Sequence, residues 1–239
     1  MDNRPICFFD SGIGGATILR EVVKLLPNEG YIYYADSINN PYGEKSKEEL
    51  FSIVNKVVSK LLEYDPKAIV CACNTATAMV LNDIRKKYPD IVFIGTEPAV
   101  KVVYDYYSDK KTIVLTTKGT GESEKFLDLF HKYETDNCKL VPAPELANLI
   151  ENNKDTSFYL SNLLKKYIGT EVVVLGCTHF PLVKDEIRSV LGDVLFVDGS
   201  VGIANRVNSL IKKNNGHGYV KVISTSANVE NRILNIIGK

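Results

Sequence analysis

The chain has 239 residues, with 29 Lys and Arg residues against 29 Asp and Glu residues, so its formal net charge is zero. This balance lacks the cationic footprint of a protein that binds nucleic acid or an anionic membrane. A content of 45% hydrophobic and 24% charged residues is typical of a globular protein with a proper core. No apolar run approaches the ~20 residues that span a bilayer, and the N-terminus shows no signal-peptide pattern. We therefore expect a cytoplasmic protein.

The first predicted strand, residues 6–9, leads into the turn Asp10-Ser11-Gly12-Ile13-Gly14-Gly15 and then into an amphipathic helix. A strand, a glycine-rich turn and a helix in this order form anion sites in α/β folds, because the N–H groups at the helix start point at the ligand. The run lacks the G-x-G-x-x-G spacing of dinucleotide sites. A turn with no ligand stays the alternative, although Asp10 and Ser11 at the carboxyl end of a strand favour a site.

Strands and helices alternate along the rest of the chain. Up to residue 97, strands are predicted at 31–35, 68–73 and 91–94, and helices at 47–63 and 74–87. The pattern then restarts, with strands at 111–115, 139–141, 172–176 and 194–197, helices between them, and a tail of helix, turn (214–218), strand (219–223) and helix. This alternation indicates mostly parallel sheets covered by helices on both faces.

Two segments share one design, an apolar strand, a cysteine, small polar residues and a helix. Cys177 follows Cys73 by 104 residues, and Thr116 follows Asp10 by 106 residues. Two features repeated in register predict two similar parallel-sheet α/β domains related by pseudo-symmetry, with an active site in the cleft between them. We expect residues 1–97 and 198–239 to form the first domain and residues 98–197 the second.

Of the five cysteines, Cys73 and Cys177 are the candidates for chemistry. A sparse, odd set without a secretory signal disfavours a disulfide framework, and Cys7, Cys71 and Cys138 are interpreted as core residues. A thiol before a helix start should ionise more readily than a free cysteine, whose pKa is about 8.5. Two such groups facing across a cleft suit proton removal from one face of a carbon and delivery to the other, which needs neither cofactor nor metal.

Two other kinds of site remain open on the residues alone. Cys73, Cys177, His179 and Asp10 include zinc-type ligands, although the spacing is not Cys-x₂-Cys. Cys177 with His179 could act as a single nucleophile, which leaves the repeat at Cys73 unexplained. His131 and His217 are expected at the surface.

Six motifs between residues 8 and 182 together give the chain a specific resemblance. They are Asp10-Ser11-Gly12-x-Gly14-Gly15, Tyr34-x-Asp36 with Pro41-Tyr42-Gly43, Cys73-Asn74-Thr75-Ala76-x-Ala78, Glu97-Pro98-Ala99, Thr117-x-Gly119-Thr120 and Leu175-Gly176-Cys177-Thr178-His179-x-Pro181-Leu182. In these motifs the chain resembles the cofactor-independent aspartate/glutamate racemases. The resemblance implies racemisation of glutamate for peptidoglycan synthesis, in the cytoplasm, by a homodimer without cofactor.

The resemblance also implies roles for individual residues. Cys73 would abstract the proton of the D-enantiomer and Cys177 that of the L-enantiomer, with Asp10 near Cys73, His179 beside Cys177, and Glu151 near the site. An Asp10 carboxylate close to the cysteine would oppose ionisation of the thiol, so we expect the thiolate to form when the substrate ammonium arrives. The role of Asp36 is less defined. Substrate would be bound by Asp10, Ser11, Tyr42, Gly43, Asn74, Thr75, Thr117, Thr178 and His179. Aspartate racemisation, with chain length read by Tyr42 and Thr117, and a non-catalytic binding protein on the same fold remain the alternatives.

Overall fold

The computed structural model describes residues 2–214, 216–227 and 229–238, and in these ranges nine β-strands alternate with twelve α-helices. The strands are β1 (Ile6–Asp10), β2 (Gly30–Ala35), β3 (Ala68–Cys71), β4 (Phe93–Gly95), β5 (Thr112–Thr116), β6 (Cys138–Pro142), β7 (Val172–Gly176), β8 (Leu195–Val197) and β9 (Tyr219–Ser224). The helices are α1 (Ala16–Leu25), α2 (Lys47–Leu62), α3 (Asn74–Met79), α4 (Leu81–Lys87), α5 (Val100–Tyr106), α6 (Lys118–Gly121), α7 (Glu124–Tyr133), α8 (Leu146–Glu151), α9 (Ser157–Leu164), α10 (Lys184–Leu191), α11 (Ser200–Leu210) and α12 (Val229–Ile237).

The strands form two parallel sheets, which confirms the predicted fold class. The first sheet has the order β4-β3-β1-β2-β9 and the second β6-β5-β7-β8. Read in reverse, the second sheet is β8-β7-β5-β6, so it repeats the order of β4-β3-β1-β2, and β9 is an extra edge strand. We call the two sheets with their covering helices the five-stranded unit and the four-stranded unit. The domain boundaries at residues 97 and 197 stay a prediction.

The central strands β1, β2, β3, β5 and β7 are buried on both faces of their sheets, as their apolar sequences require, whereas the edge strands β6, β8 and β9 are partly exposed. In β1, Ile6 and Phe8 pack on one face with α1, α11 and α12, whereas Cys7 and Phe9 pack on the other face with α2 and α4. Several helices begin at a hydroxyl residue that accepts an N–H three positions later, as Ser46 does at α2 and Ser123 at α7. The alternation of side chains along the strands thus explains the helix layers on both faces, and the capping residues explain where these helices begin.

Three local predictions differ from the structure. The helix predicted over residues 74–87 is interrupted at Val80, whose φ is −131°, and forms α3 and α4. Helix α5 was not predicted, because it buries only Val100 and Val103 and so shows less than two turns of apolar periodicity. The polar segment 116–121 contains the short helix α6. The tail turn predicted at 214–218 includes residue 215, which lies outside the described residues.

Candidate active site

The two sheets meet at their carboxyl edges, and there the predicted site residues contact each other across the two units. The Thr75 and Thr117 hydroxyl oxygens are 2.9 Å apart, and the Thr178 hydroxyl donates to Asp10 Oδ2 at 3.1 Å. Cys73 follows β3 and Cys177 follows β7, and they are 5% and 7% exposed. Each internal repeat therefore contributes one cysteine to the same buried edge.

Cys73 lies directly before α3, but its thiol is not acidified by that position. Burial raises its pKa well above the ordinary value, and the negative charges of Asp10, Cys71 and Cys177 raise it further. The N–H of Ala76 acts in the opposite direction and is outweighed. The prediction of an easily ionised thiol is therefore wrong for Cys73. Helix α3 has only six residues, and its N-terminus compensates only part of the cost of burying a charged thiolate.

Cys177 is the first member of a chain of side chains that ends at Glu151. Its Sγ lies 3.8 Å from His179 Nδ1, and His179 Nε2 lies 2.8 Å from Glu151 Oε2. Residues 177–179 form a turn that leads into the 3₁₀ segment Phe180–Val183, so Cys177 does not directly precede an α-helix. His179 thus contacts the thiol on one side and a carboxylate on the other.

His179 and Glu151 form a buried ion pair. Burial lowers the pKa of His179, but hydrogen bonds with Cys177 and Glu151 outweigh it and raise that pKa well above its ordinary value. Burial likewise raises the pKa of Glu151, and the hydrogen bond and charge of His179, together with donors from Ile13 and Ser37, lower it overall. Near neutral pH the pair is an imidazolium beside a carboxylate.

The glycine-rich turn binds carboxylates of the protein itself. The Gly15 N–H donates to Asp10 at 2.7 Å and the Ile13 N–H to Glu151 at 2.9 Å. The second bond crosses between the units, and a Cβ placed on Gly12 would lie 2.2 Å from Glu151 Oε2. A side chain at position 12 would therefore displace the Glu151 carboxylate from the turn, whereas glycine leaves room for it.

Asp10 is completely buried, and one of its oxygens is free. Oδ2 accepts from Gly15 and Thr178, whereas Oδ1 has no hydrogen-bond partner among the described residues. Burial raises the pKa of Asp10, which the positive charge of His179 partly offsets. A buried acceptor without a donor is costly unless a donor arrives, so Oδ1 is suited to receive a cation.

Three threonine hydroxyls form a closed cluster between the units. Besides the Thr75–Thr117 contact, Thr120 Oγ1 lies 3.2 Å from Thr75 Oγ1 and 3.0 Å from that of Thr117. Thr120 was not among the predicted site residues, although it belongs to the motif Thr117-x-Gly119-Thr120. Nearby, Asn74 is buried and Gly43 approaches Thr117, since a Cβ on Gly43 would lie 2.9 Å from Thr117 Cβ.

Tyr42 and Asp36 contact each other. The Tyr42 hydroxyl donates to Asp36 Oδ2 at 2.7 Å, and Asn39 donates to both oxygens of Asp36. Burial raises the pKa of Asp36, and the Tyr42 bond partly offsets this. Ser11 Oγ accepts from Asn40 at 3.2 Å. The Tyr42 hydroxyl is therefore bonded to Asp36 and the Tyr42 carbonyl to the Lys45 N–H, whereas the Tyr42 backbone N–H has no hydrogen-bond partner among the described residues.

The remaining cysteines and histidines lie away from this cluster. Cys7 and Cys71 are buried as predicted, whereas Cys138 is only half-buried, because it begins β6 at the end of the sheet away from the site. His131 and His217 are exposed, as predicted. Within the described ranges no three His, Cys, Asp or Glu side chains are arranged to hold one metal ion, and no helix there is long and apolar enough to cross a membrane.

Two matched parallel-sheet units with a shared site at their carboxyl edges define the class of the protein as a two-unit α/β protein with its site between the units. The chain belongs to the Asp/Glu/hydantoin racemase family, whose model matches residues 26–206. It is 41% identical over 223 residues to the glutamate racemase of Clostridium perfringens, covering 90% of this chain and 86% of that protein.

Two solved structures extend the likeness to almost the whole chain. The glutamate racemase of Francisella tularensis, solved in complex with D-glutamate, has a TM-score of 0.81 and 26% identity, and the match covers 100% of this chain and 95% of that one. The Escherichia coli glutamate racemase, solved with L-glutamate and the activator UDP-MurNAc-Ala, has a TM-score of 0.84 and 28% identity, and the match covers 98% and 94%.

Proposed function

We propose that this chain is a glutamate racemase that interconverts L-glutamate and D-glutamate by two-base proton transfer at Cα and supplies D-glutamate for peptidoglycan. The observation that carries the proposal is the repeat of one strand–cysteine unit in two sheets whose edges share one buried site. A pair of matched acid/base groups, one in each unit, suits a reaction whose product is the mirror image of its substrate. The names of the relatives support glutamate as the substrate.

In the proposed reaction from L-glutamate, the Cys177 thiolate takes the Cα proton and the Cys73 thiol donates its proton to the opposite face. The electron pair left on Cα is shared with the α-carboxylate until the second proton arrives. The site then holds a Cys177 thiol and a Cys73 thiolate, and the reaction from D-glutamate runs in reverse. The His179 imidazolium stabilises the Cys177 thiolate, and Glu151 orients His179.

Asp10 is proposed to link the ionisation of Cys73 to substrate binding. Its free Oδ1 is proposed to accept the substrate ammonium. The ammonium would offset the negative charge that now raises the pKa of Cys73. Cys73 would therefore ionise when substrate is bound, and not before.

Hydroxyl and N–H groups are proposed to bind the two carboxylates of the substrate. The groups are Ser11, Gly43, Asn74, Thr75, Thr117 and Thr178, with Thr120 added from the threonine cluster. Because Tyr42 donates its hydroxyl to Asp36, its contribution would come from its backbone N–H. Neutral donors at helix starts bind carboxylates well when water is excluded.

Because Cys73 and Cys177 are buried between the two units, we infer that the units separate to admit substrate. The cavity that borders Cys177, Asn74 and Thr178 has a volume of about 10 Å³. A glutamate molecule does not fit into this volume. We therefore include an opening of the cleft in the proposal, with the contacts Thr75–Thr117 and Asp10–Thr178 broken in the open form.

Aspartate is the alternative substrate, because the family model includes racemases of both acidic amino acids. A binding protein without turnover is the alternative of another class. The homodimer and the cytoplasmic location stay predictions.

Incubation with L-glutamate in D₂O, with chelator and without added cofactor, tests the proposed function. We expect optical rotation to fall to zero and NMR to show deuterium replacing the Cα proton, because each turnover exchanges that proton with a thiol. Exchange with aspartate alone would change the substrate and retain the mechanism. No exchange with either amino acid in a folded sample would refute the racemase proposal.

The Glu151→Gln variant tests the ion pair through pH. His179 has a raised pKa in the folded state. It therefore contributes stability that is fully present below about pH 6.5, its ordinary pKa, and that is lost as pH rises through the raised pKa. Glu151 has a lowered pKa in the folded state. It therefore contributes stability at pH values above its ordinary pKa, and this stability is lost as pH falls through the lowered pKa. In the variant, His179 loses the Glu151 contact, one of the two hydrogen bonds that raise its pKa, so NMR should show His179 titrating at lower pH than in the wild type, and kcat should fall about 100-fold. Glu124→Gln, at an exposed position, is the matched control, and an unchanged His179 titration in Glu151→Gln would contradict the pairing.

A further inference from the structure

The last helix of the chain reaches the end of α8 in the other unit. Helix α12 lies beyond residues 26–206, the part that the family model matches. Its Val229, Ile233 and Ile237 are buried in the core of the five-stranded unit. Arg232 of the same helix donates Nη2 to the Ile150 carbonyl at 3.0 Å and Nη1 to the Glu151 carbonyl.

This contact suits the chemistry of a helix end. Glu151 is the last residue of α8, and the final carbonyls of a helix carry partial negative charge and lack donors within the helix. A guanidinium presents two parallel N–H donors, so it can hold two successive carbonyls in one geometry. A lysine, with one ammonium, would hold them less rigidly.

Glu151 is therefore held at both ends by the five-stranded unit. Its carboxylate accepts from the Ile13 N–H and from the Ser37 hydroxyl, each at 2.9 Å, and its carbonyl accepts from Arg232. On the side of its own unit, the carboxylate contacts His179. The position of Glu151 against His179 is thus determined by the unit that carries Cys73.

From this arrangement we propose that Arg232 is a positioning residue for the Cys177 half-site. When the units close, Arg232 fixes the end of α8, Glu151 then fixes His179, and His179 is aligned with Cys177. The proposal rests on the proposed racemase function for its kinetic consequences. It assigns the tail helix a part in proton transfer at a cysteine that it does not touch.

The first test compares Arg232→Met with Arg206→Met, a matched control at an exposed position on α11. We expect Arg232→Met to lower kcat about 10-fold or more with little change in KM, because a misplaced group slows the proton transfer and leaves the carboxylate donors intact. The isotope effect on kcat/KM with Cα-deuterated L-glutamate should rise more than that with D-glutamate, since Cys177 takes the proton of the L-enantiomer. Arg232→Lys should restore part of the activity.

The second test does not depend on turnover. Alkylation by iodoacetamide, followed by peptide mass spectrometry, measures Cys73 and Cys177 separately. In Arg232→Met we expect Cys177 to react about threefold more slowly at neutral pH, because thiolate reactivity depends on the neighbouring imidazolium, and Cys73 to react as before. Ser37→Ala, which removes another donor to Glu151, should act in the same direction.

The outcomes separate the two proposals. Equal changes at both cysteines, or the same change in Arg206→Met, would mean a general structural effect and would overturn the positioning role. So would wild-type kinetics and alkylation in Arg232→Met. A selective change at Cys177 in a protein that racemises neither glutamate nor aspartate would support the positioning role and refute the proposed function. If Arg232→Met does not fold, Arg232→Lys and Ser37→Ala carry the same comparison.

Discussion

Replacing Cys73 or Cys177 with alanine is expected to lower glutamate racemisation by about 10⁴-fold, the upper range for loss of a positioned acid or base. The expectation follows from the geometry of inversion, since each face of Cα needs its own group. No neighbouring side chain can substitute, because Cys71 lies in the core beneath Cys73 and His179 is already paired with Glu151. Chiral chromatography of the product measures the loss.

The two variants should differ in the exchange that remains. Without Cys73, Cys177 can still remove and return the proton of L-glutamate, so slow deuterium incorporation in D₂O should occur for the L-enantiomer without inversion. Without Cys177, the same is expected for D-glutamate. Cys138→Ala, at a half-buried cysteine away from the site, is the control and should racemise normally. Full activity in Cys73→Ala would contradict the two-base proposal and favour Cys177 as a single nucleophile.

The fold was predictable because its signal is repeated. The spacing between Asp10 and Thr116 recurs between Cys73 and Cys177 to within two residues, and in the structure β1 corresponds to β5 and β3 to β7. Strands buried on both faces leave continuous apolar runs that are read directly from a sequence. Helix α5 had no such signal, because only Val100 and Val103 of its residues are buried.

The residues of the candidate site were predictable where they lie at strand ends, but their electrostatics were predictable only in part. Position before a helix suggested an acidic thiol at Cys73, and an Asp10 carboxylate nearby was expected to oppose its ionisation. Burial, which raises the Cys73 pKa more than Asp10 does, was not anticipated. Burial depends on the closure of the two units, which no local motif encodes.

Partners that come from distant parts of the chain were also missed. Ile13 contributes only its backbone N–H, Ser37 lies in a polar loop, and Arg232 belongs to a tail helix without a motif. Thr120 differs, since it stands inside a recognised motif and could have been included. Contacts between units thus require the three-dimensional structure, because sequence spacing does not report them.

Gly14→Ala is expected to lower racemisation by about 100-fold or more, because misplacement of catalytic groups by about 1 Å has an effect of that size. A Cβ on Gly14 would lie 2.6 Å from Thr178 Oγ1 and 2.7 Å from the backbone nitrogen of His179. A hydroxyl can rotate away, but a backbone atom cannot, so the units would close incompletely and separate Asp10 from Thr178. Gly14 is not among the glycines with positive φ, so alanine fits its backbone conformation.

Comparison with Gly202→Ala shows whether the effect of Gly14→Ala comes from incomplete closure of the two units. A Cβ on Gly202, in α11, would meet nothing within 4 Å, so this variant should keep full activity and gain up to ~1 kcal/mol of stability from helix propensity. Thermal unfolding and racemisation of both variants, measured side by side, separate a loss of folding from a loss of closure. A folded Gly14→Ala protein that racemises glutamate at the wild-type rate would mean that the closed contact between Gly14 and the Thr178–His179 segment is not needed for catalysis. A folded but inactive protein in which both cysteines are still alkylated, with Cys177 reacting more slowly than in the wild type, would mean that the thiols are present and that proton transfer fails because the two units no longer meet.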